Sequence, residues 1–287
     1  MNRNKKDISI LDLKASALKI RRLILDTTHH VGAGHTGGSL SMVEILTALY
    51  FRIMHIDPEN PKMEDRDRFI LSKGHATPGY YSTLALRGYF PIDELHTFDS
   101  RGTRLQAHPD MNKCPGVDYS TGSLGQGLSI GTGMAMGGAA AGRDFYTFVL
   151  MGDGEQQEGQ VWEAAMFAGK REVKRIVAII DYNKVQLAGR TAETLDLEPL
   201  TEKWEAFNWK VLNCDGNDMS MVLDAVEKAA ALSEQGPVVV IAHTIKGKGI
   251  SFMENTPVWH GKAPNDDELE RALVELEYSD SSEAAHV

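Results

Sequence analysis

A carboxylate and an amide, Asp153 and Asn183, each follow an apolar run in this chain. The runs 145–151 and 175–180 are typical of buried parallel strands, and residues 158–170 between them predict a helix. In open α/β sheets, ligands bind at the carboxyl ends of the strands. Carboxylate, amide and carbonyl oxygens suit a hard cation such as Mg²⁺, which usually shares its other positions with water and substrate phosphates. The segment therefore predicts a metal–diphosphate anchor.

Four histidines stand beside glycine or proline in predicted loops: His35, His75, His108 and His260. Such histidines form poor core contacts but can touch a ligand at close range. A structural or surface role is the more common outcome for any one of them. Four in one chain, together with the predicted metal site, favour a shared functional site.

The remaining periodicity predicts alternating strands and helices. Helices are expected at 11–26, 41–54, 78–86, 124–141, 158–170, 201–207, 219–232 and 265–276, and strands at 68–72, 145–151, 175–180, 210–213 and 237–243. This alternation predicts the α/β class, a mainly parallel sheet with helices on both faces. We expect one domain over residues 1–287, with a core at about 11–276 and a frayed tail at 279–287.

Two segments depart from ordinary periodicity. Residues 88–115 are rich in Gly, Pro, Asp and His and predict a long loop, which inside a compact domain is usually functional. The predicted helix 124–141 contains six glycines, each of which weakens an isolated helix by about 1 kcal/mol. Such a helix is stable only if close packing requires glycine, against a sheet or against another subunit.

Composition excludes several classes of protein. The net charge of −10 makes the chain a poor general binder of nucleic acid or anionic membrane. No signal-type apolar region follows the polar residues 1–7, and no apolar run reaches the roughly 20 residues that span a bilayer. Cys114 and Cys214 form no motif and are typical of reduced cytoplasmic thiols. We expect a cytoplasmic protein without nucleic-acid or membrane partners.

The segment Gly152-Asp153-Gly154, followed after 28 further residues by Asn183, resembles the diphosphate-binding signature of thiamine diphosphate enzymes. The resemblance implies that Asp153 and Asn183 hold Mg²⁺, or Ca²⁺ or Mn²⁺ in its place, by their side chains. It implies that Val185 contributes its carbonyl oxygen.

Further motifs resemble those of transketolases and occur in the family order. They are residues 32–39, 71–76, 108–110, 120–127, 244–249 and 260–264. The resemblance extends from about Leu11 to Leu276. The chain is similar to the diphosphate-binding half of transketolase and less close to its relative deoxyxylulose-phosphate synthase.

The resemblance implies a role for each matching residue. His35, His108 and His260 would line the reaction centre and hydrogen-bond the donor ketose, and Leu124 would lie near the pyrimidine. Glu158 would meet a carboxylate at a subunit interface, although an acid at the start of a helix also fits the helix dipole. The implied cofactor-binding set is His75, Gly122, Ser123, Leu124, Gly152, Asp153, Gly154, Glu158, Asn183, Lys246 and His260.

Three positions depart from the family pattern. Thr36 and Ser123 replace prolines, and Tyr182 replaces an acid that many relatives carry before the asparagine. These positions leave the metal ligands intact but leave the preferred donor open.

Full-length transketolases are more than twice as long, and nothing resembling their pyrimidine domain follows His260 here. We therefore expect one subunit of a split transketolase, paired with a pyrimidine-domain subunit in an α₂β₂ assembly. It would transfer a two-carbon ketol unit from a ketose or its phosphate to an aldose or its phosphate.

Three alternatives remain open. One is a transketolase for an unusual ketose, such as a sulfo-sugar or branched sugar phosphate. Another is a different thiamine diphosphate carbon–carbon lyase or ligase, including a split deoxyxylulose-phosphate synthase or a 2-oxo acid dehydrogenase α subunit. The last is a non-catalytic orphan domain.

Overall fold

A five-stranded parallel sheet lies at the centre of the computed structural model, which describes residues 8–284 and side chains up to residue 277. The strands, in chain order, are β1 Arg68–Leu71, β2 Thr147–Gly152, β3 Ile176–Tyr182, β4 Val185–Gln186, β5 Gly189–Arg190, β6 Lys210–Asp215 and β7 Val238–His243. The order in the sheet is β1-β2-β3-β7-β6, and β4 and β5 form a separate antiparallel hairpin. The parallel sheet confirms the predicted α/β class.

Helices connect and cover the strands. They are α1 Ile10–Val31, α2 Thr36–Leu40, α3 Val43–Ala48, α4 Thr77–Arg87, α5 Gln126–Ala140, α6 Gly159–Lys170, α7 Thr191–Thr194, α8 Leu200–Ala206, α9 Met219–Leu232 and α10 Asp266–Ala284. Short 3₁₀ turns lie at 92–97, 154–157 and 257–260, and a π-helical turn lies at 49–53. No helix within residues 8–284 has the length and apolarity needed to cross a bilayer.

Alternate residues of β2 face opposite helical layers. Phe148 and Leu150 join a core built mainly with α1, α3, α4, α9 and α10. Val149 and Met151 join a second core built with α5, α6 and α8. Because both faces of the sheet are covered, the strands are continuous apolar runs, which is why the pattern predicted them.

The first helix is longer than the predicted 11–26. It continues to Val31 and ends at Gly32, which has a φ of 70°. The polar residues 27–30 follow the predicted end but remain helical. Within them, the Thr28 hydroxyl donates to the carbonyl of Ile24 at 2.8 Å. Threonine can satisfy its hydroxyl on the preceding turn in this way.

The predicted helix 41–54 begins earlier and is broken. The chain forms α2, α3 and the π-helical turn, with the first break at Ser41 and Met42. The Ser41 hydroxyl donates to Oδ2 of Asp181 at 2.6 Å. Ser41 therefore contacts strand β3 at the point where the helix is broken.

Two further boundaries differ. Strand β3 continues past the predicted residue 180 because the charge of Asp181 is compensated inside the protein. The last helix continues past residue 276 to Ala284, since no Gly or Pro stops it. Residues 279–284, which the prediction placed in the tail, are described as part of this helix, and residues 285–287 lie outside the described part. The β4–β5 hairpin and α7 were not predicted.

The glycines of α5 serve two different purposes. A Cβ on Gly127, Gly131 or Gly138 would lie 2.3–2.5 Å from atoms of Ser72, Val149 or Phe145. These three glycines permit the helix to lie directly on the sheet, as predicted. Gly133 and Gly137 instead face open space, so packing within this chain does not require them.

Candidate active site

Asp153 and Asn183 meet because they follow neighbouring strands. Gly152, the last residue of β2, pairs in register with Asp181 near the end of β3. The Asp153 side chain accepts hydrogen bonds from the backbone N–H of Gly154, at 2.7 Å, and of Lys184. Asp153 is only 3% exposed and Asn183 5%. The predicted carboxylate and amide are therefore brought together at one buried edge of the sheet.

The Asn183 amide has a defined orientation. Its Nδ2 donates to Oδ2 of Asp181 at 3.1 Å, and its Oδ1 accepts from the N–H of Val185 at 3.1 Å. The nitrogen must face the carboxylate because a carboxylate only accepts. The amide oxygen is thereby placed on the side of the β4 backbone.

The electrostatics around Asp153 favour a positive ligand. Burial, and next the nearby Asp181 carboxylate, raise the pKa of Asp153 to about 6, while the two backbone N–H donors oppose the shift. The raised pKa means that the ionised carboxylate is under-compensated in the protein alone.

Asp181 is the buried centre of the polar network beneath this pair. It is fully buried and accepts from the Lys73 ammonium and from the hydroxyls of Ser41 and Thr244, in addition to Asn183. Burial acts to raise its pKa, but Lys73 and the hydroxyl donors bring the pKa below its ordinary value. None of these supporting residues was predicted, although Lys73 directly precedes the Gly74-His75 motif.

Lys246 joins the backbone of β4 to a histidine. Its Nζ donates to the carbonyl of Val185 at 2.9 Å and lies 2.8 Å from Nδ1 of His260. Burial, and next the charge of Lys73, lower the pKa of Lys246 to about 8. Since an ammonium only donates, Nδ1 of His260 accepts, and a neutral His260 ring carries its proton on Nε2.

Three histidines form what we call the imidazole cluster: His35, His75 and His260. The ring centroids lie 5.0 Å apart for His35–His75, 5.5 Å for His35–His260 and 5.1 Å for His75–His260. Burial is the main cause that lowers the pKa of His35 to about 4, that of His260 to about 3, and that of His75 well below its ordinary value. The cluster is therefore neutral at physiological pH.

The fourth histidine lies at the rim. His108 is exposed, and a Cβ on Gly122 would lie 3.1 Å from its Cδ2. Gly122 in turn lies against Gly74, which directly precedes His75, so His108 is near the cluster. All four predicted histidines thus belong to one edge of the sheet.

Close backbone contacts bring the separate motifs together. A Cβ on Gly74 would lie 2.7 Å from the backbone nitrogen of Gly122, and a Cβ on Gly37 would lie 2.8 Å from the carbonyl oxygen of Trp259. Thr36, the residue that departs from proline, donates its hydroxyl to the carbonyl of Lys262 at 2.8 Å. Residues 32–39, which carry His35, are thereby tied to residues 260–264, which begin at His260.

Three predicted residues lie outside the buried centre. Ser123 is exposed and Leu124 half-buried, both on the loop that precedes α5. Glu158 is exposed at the N-cap of α6, and its side chain forms no capping hydrogen bond. These residues form a rim that is open for contact with a ligand or another chain.

One buried carboxylate carried no sequence signal. Glu155 lies in the 3₁₀ turn after Asp153, is 2% exposed, and is hydrogen-bonded to Ser72, Gly125 and Gly152. An acid two residues after Asp153 could equally face solvent, so only the structure reveals its position.

Comparisons with known proteins give a consistent picture. Residues 13–283 match the family model of the thiamine diphosphate binding domain of transketolase. The chain is 46% identical to SqwG, a subunit of the 6-deoxy-6-sulfo-D-fructose transketolase of Clostridium sp. strain MSTE9, over 93% of this chain and 97% of that protein. It is 45% identical to one of the subunits of the apulose-4-phosphate transketolase of Actinobacillus succinogenes, over 93% of this chain and 95% of that protein.

The fold is also similar to that of larger proteins. The crystal structure of a Pichia stipitis transketolase in complex with sedoheptulose 7-phosphate superimposes with a TM-score of 0.88 and 29% sequence identity. The match covers 94% of this chain and 41% of that one. The chain thus spans about two fifths of the length of that transketolase.

Proposed function

The chain belongs to the transketolase family, and from this premise we propose that it is the cofactor-binding subunit of a two-chain transketolase. It binds thiamine diphosphate with Mg²⁺. Together with a pyrimidine-domain subunit, it transfers a two-carbon ketol unit from a ketose or ketose phosphate to an aldose or aldose phosphate. The observation that carries the proposal is the meeting of the buried Asp153–Asn183 pair with the imidazole cluster.

The oxygen atoms at the strand ends fit a hard divalent cation. Asp153 offers a carboxylate, Asn183 an amide oxygen and Val185 a carbonyl, which is a ligand set suited to Mg²⁺, Ca²⁺ or Mn²⁺. The described residues contain no group of three or more His, Cys, Asp and Glu side chains that could hold a metal alone. A cation at Asp153 would therefore share ligands with a bound diphosphate, and it would offset the burial that raises the pKa of Asp153.

The surroundings fit the anionic part of the cofactor. Lys246 is buried next to Val185, and His75 and His260 stack 5.1 Å apart beside it. The Gly154 backbone adjoins Asp153, and Gly152 lies at the end of β2. We assign these groups to the diphosphate, and assign Gly122, Ser123 and Leu124 on the rim to the organic part of the cofactor.

Thiamine diphosphate, when bound, supplies the nucleophilic carbon that carries the two-carbon unit between sugars. The chain's own residues orient the donor sugar. His35 and His260 are neutral imidazoles and can donate or accept hydrogen bonds at the hydroxyl groups of a ketose without carrying charge. His108, at the exposed rim, is assigned to the same substrate. The Lys246 contact leaves the Nε2 proton of His260 available as a donor.

A second chain would complete the enzyme. Relatives that match this chain over nearly their whole length carry the name of transketolase subunits, which supports a hetero-oligomer. The α5–α6 face exposes Met136, Met166 and Phe167 and leaves Gly133 and Gly137 uncovered. We propose that a neighbouring subunit covers this face, that Glu158 lies in the contact, and that the assembly is α₂β₂.

The donor sugar has two candidate classes. Ordinary pentose phosphates suit the family as a whole. An unusual ketose is favoured by the two relatives named for 6-deoxy-6-sulfo-D-fructose and apulose 4-phosphate, which this chain resembles at 46% and 45% identity. These two substrates differ while the identities are nearly equal, so both are donors to be compared in the assay. A cytoplasmic location remains our proposal, and both described cysteines are free thiols.

A two-component assay tests the proposal. The chain and the product of a neighbouring pyrimidine-domain reading frame would be purified and mixed with Mg²⁺ and thiamine diphosphate. Carbon transfer to ribose 5-phosphate would be followed from xylulose 5-phosphate, from 6-deoxy-6-sulfofructose and from apulose 4-phosphate in parallel. Activity only in the mixture would support the two-chain enzyme, and the active donor would choose between the substrate classes. A mixture that forms no complex and transfers no carbon would refute it.

A further inference from the structure

The buried carboxylate of Glu155 connects three separate segments. Oε1 accepts from the Ser72 hydroxyl at the end of β1 and from the N–H of Gly125 at 2.8 Å, and Oε2 accepts from the N–H of Gly152 at 3.0 Å. Gly125 belongs to the loop before α5, whereas Gly152 ends β2. A single side chain thus joins the two strand ends to residues 121–127, which we call the glycine loop.

Ser72 extends this connection by one further hydrogen bond. Its Oγ accepts from the N–H of Gly127 at 3.2 Å. A Cβ on Gly127 would lie 2.3 Å from the same Oγ, and a Cβ on Gly125 would lie 2.8 Å from Cβ of Glu158. The glycine loop is therefore held by hydrogen bonds on one side and by direct contact on the other.

A carboxylate is a costly choice for such a position. Burying a charged group is unfavourable unless hydrogen bonds and nearby charges compensate. Burial raises the pKa of Glu155, and the Ser72, Gly125 and Gly152 donors together with Lys73 only partly oppose the shift. An apolar residue would avoid this cost but would leave two backbone N–H groups without their acceptor. The arrangement therefore favours a defined loop geometry over maximal stability.

We propose that Glu155 is a positioning residue that sets the distance between the glycine loop and the strand end at Asp153 and Gly154. This inference rests on the proposed function, in which the glycine loop contacts the organic part of thiamine diphosphate and the strand end holds its diphosphate. Glu155 then fixes the spacing between the two sides of the cofactor site without contacting the cofactor.

The variant Glu155→Gln tests the proposal in the full chain. All three neighbours at this position donate hydrogen bonds, and a glutamine would turn its NH₂ group toward a backbone N–H. We expect amide exchange in residues 121–128 to become about tenfold faster, as for the loss of a buried hydrogen bond. The exposed Glu205→Gln on α8 is the matched control. Unchanged exchange in the glycine loop would overturn the proposal.

Binding of two ligands distinguishes a positioning role of Glu155 from a general loss of structure in the variant. We expect Glu155→Gln to weaken binding of thiamine diphosphate with Mg²⁺ about tenfold and to leave binding of inorganic diphosphate with Mg²⁺ unchanged. Equal weakening of both would indicate a general structural role and overturn the inference. A wild-type chain that binds neither ligand would instead count against the proposed cofactor binding, and the exchange measurement would still decide the role of Glu155.

Ser72→Ala provides a second variant in case Glu155→Gln does not fold. It removes the acceptor for Gly127 and keeps the backbone donors to Glu155 at Gly125 and Gly152. The same increase in exchange, centred on residue 127, supports the proposal, and exchange equal to that of Glu205→Gln contradicts it.

Discussion

Lys73 and Asp181 form an ion pair that is closed off from solvent beneath the candidate active site. Nζ of Lys73 donates to Oδ2 of Asp181, and the two side chains are 2% and 0% exposed. The pair lies 108 residues apart in sequence. It connects residues 71–76, which carry His75, to strand β3, which precedes Asn183. The stability of the fold and the geometry of the site therefore depend on the same contact.

Lys73→Met should therefore destabilise the protein strongly. Removal of one partner leaves the other charge buried without compensation, which typically costs about 3–5 kcal/mol. Urea denaturation would measure the free energy of unfolding, with the exposed Lys170→Met as control. A loss below about 1 kcal/mol, the size expected for a surface pair, would contradict the role of this contact.

Asp153→Asn should lose affinity for Mg²⁺ with thiamine diphosphate. The substitution keeps the size of the side chain but removes the charge that a cation would neutralise. We expect at least a tenfold weaker complex, about the effect of altering a group that supports a metal site, measured by isothermal titration calorimetry. Asp224→Asn, exposed on α9, should bind like the wild type. Retention of wild-type affinity by Asp153→Asn would rule out the proposed metal ligand.

His35→Ala and His260→Ala should reduce turnover more than cofactor binding. These imidazoles are assigned to the donor sugar, and a positioned acid–base or hydrogen-bonding group contributes about 10²–10⁴-fold to rate. Single-turnover kinetics in the two-chain enzyme, beside a cofactor titration, would separate the two effects. His96→Asn, exposed in the 3₁₀ turn at 92–97, is the control. Unchanged turnover in both variants would remove these residues from the reaction.

His35 and His260 should remain neutral in mildly acidic solution. Burial lowers their pKa values to about 4 and about 3. Imidazole NMR signals of these residues should stay constant from pH 8 to about pH 5, whereas the urea-unfolded chain should titrate near pH 6.5. Because the unfolded state takes up these protons first, both histidines lower folding stability as pH falls from 6.5 toward 4. Titration of either folded ring near pH 6.5 would contradict this expectation.

Two glycines of α5 should respond oppositely to alanine. Gly131→Ala places a Cβ 2.4 Å from Cγ2 of Val149 and should destabilise the chain by about 1–3 kcal/mol through overpacking. Gly133→Ala meets open space and should stabilise the isolated chain by about 0.5–1 kcal/mol, since alanine favours a helix. Thermal unfolding would measure both effects.

The same Gly133→Ala variant tests the proposed contact with a neighbouring subunit. If that subunit lies directly on α5, the added methyl group should weaken assembly although the chain itself is more stable. Analytical ultracentrifugation with the partner would compare it with the wild type and with the exposed Glu205→Gln on α8. If Gly133→Ala assembles like the wild type, the neighbouring subunit does not lie directly on this part of α5.

Much of the site was predictable from local patterns. The apolar runs before Asp153 and Asn183 predicted adjacent strand ends, and the structure places both residues there because parallel strands bring their carboxyl ends to one edge. The glycine–histidine pairs predicted a shared site, and three of the four imidazoles form the cluster.

The partners of the buried charges could not be predicted in this way. Asp181 and Glu155 look like residues at strand and helix ends, and nothing nearby in sequence indicates that Lys73 and Ser72 meet them. Helix lengths also differ from the predicted ones where a polar side chain, such as Thr28 or Ser41, forms its hydrogen bond inside the fold.

The sequence by itself determined the α/β alternation, the carboxylate and amide at the strand ends, and the family, because these depend on residue type and short-range spacing. Only the tertiary structure decided which charges are paired, which histidines are kept neutral and which glycines of α5 stay uncovered. These properties depend on burial and on contacts between distant segments, and neither is encoded in any single local pattern.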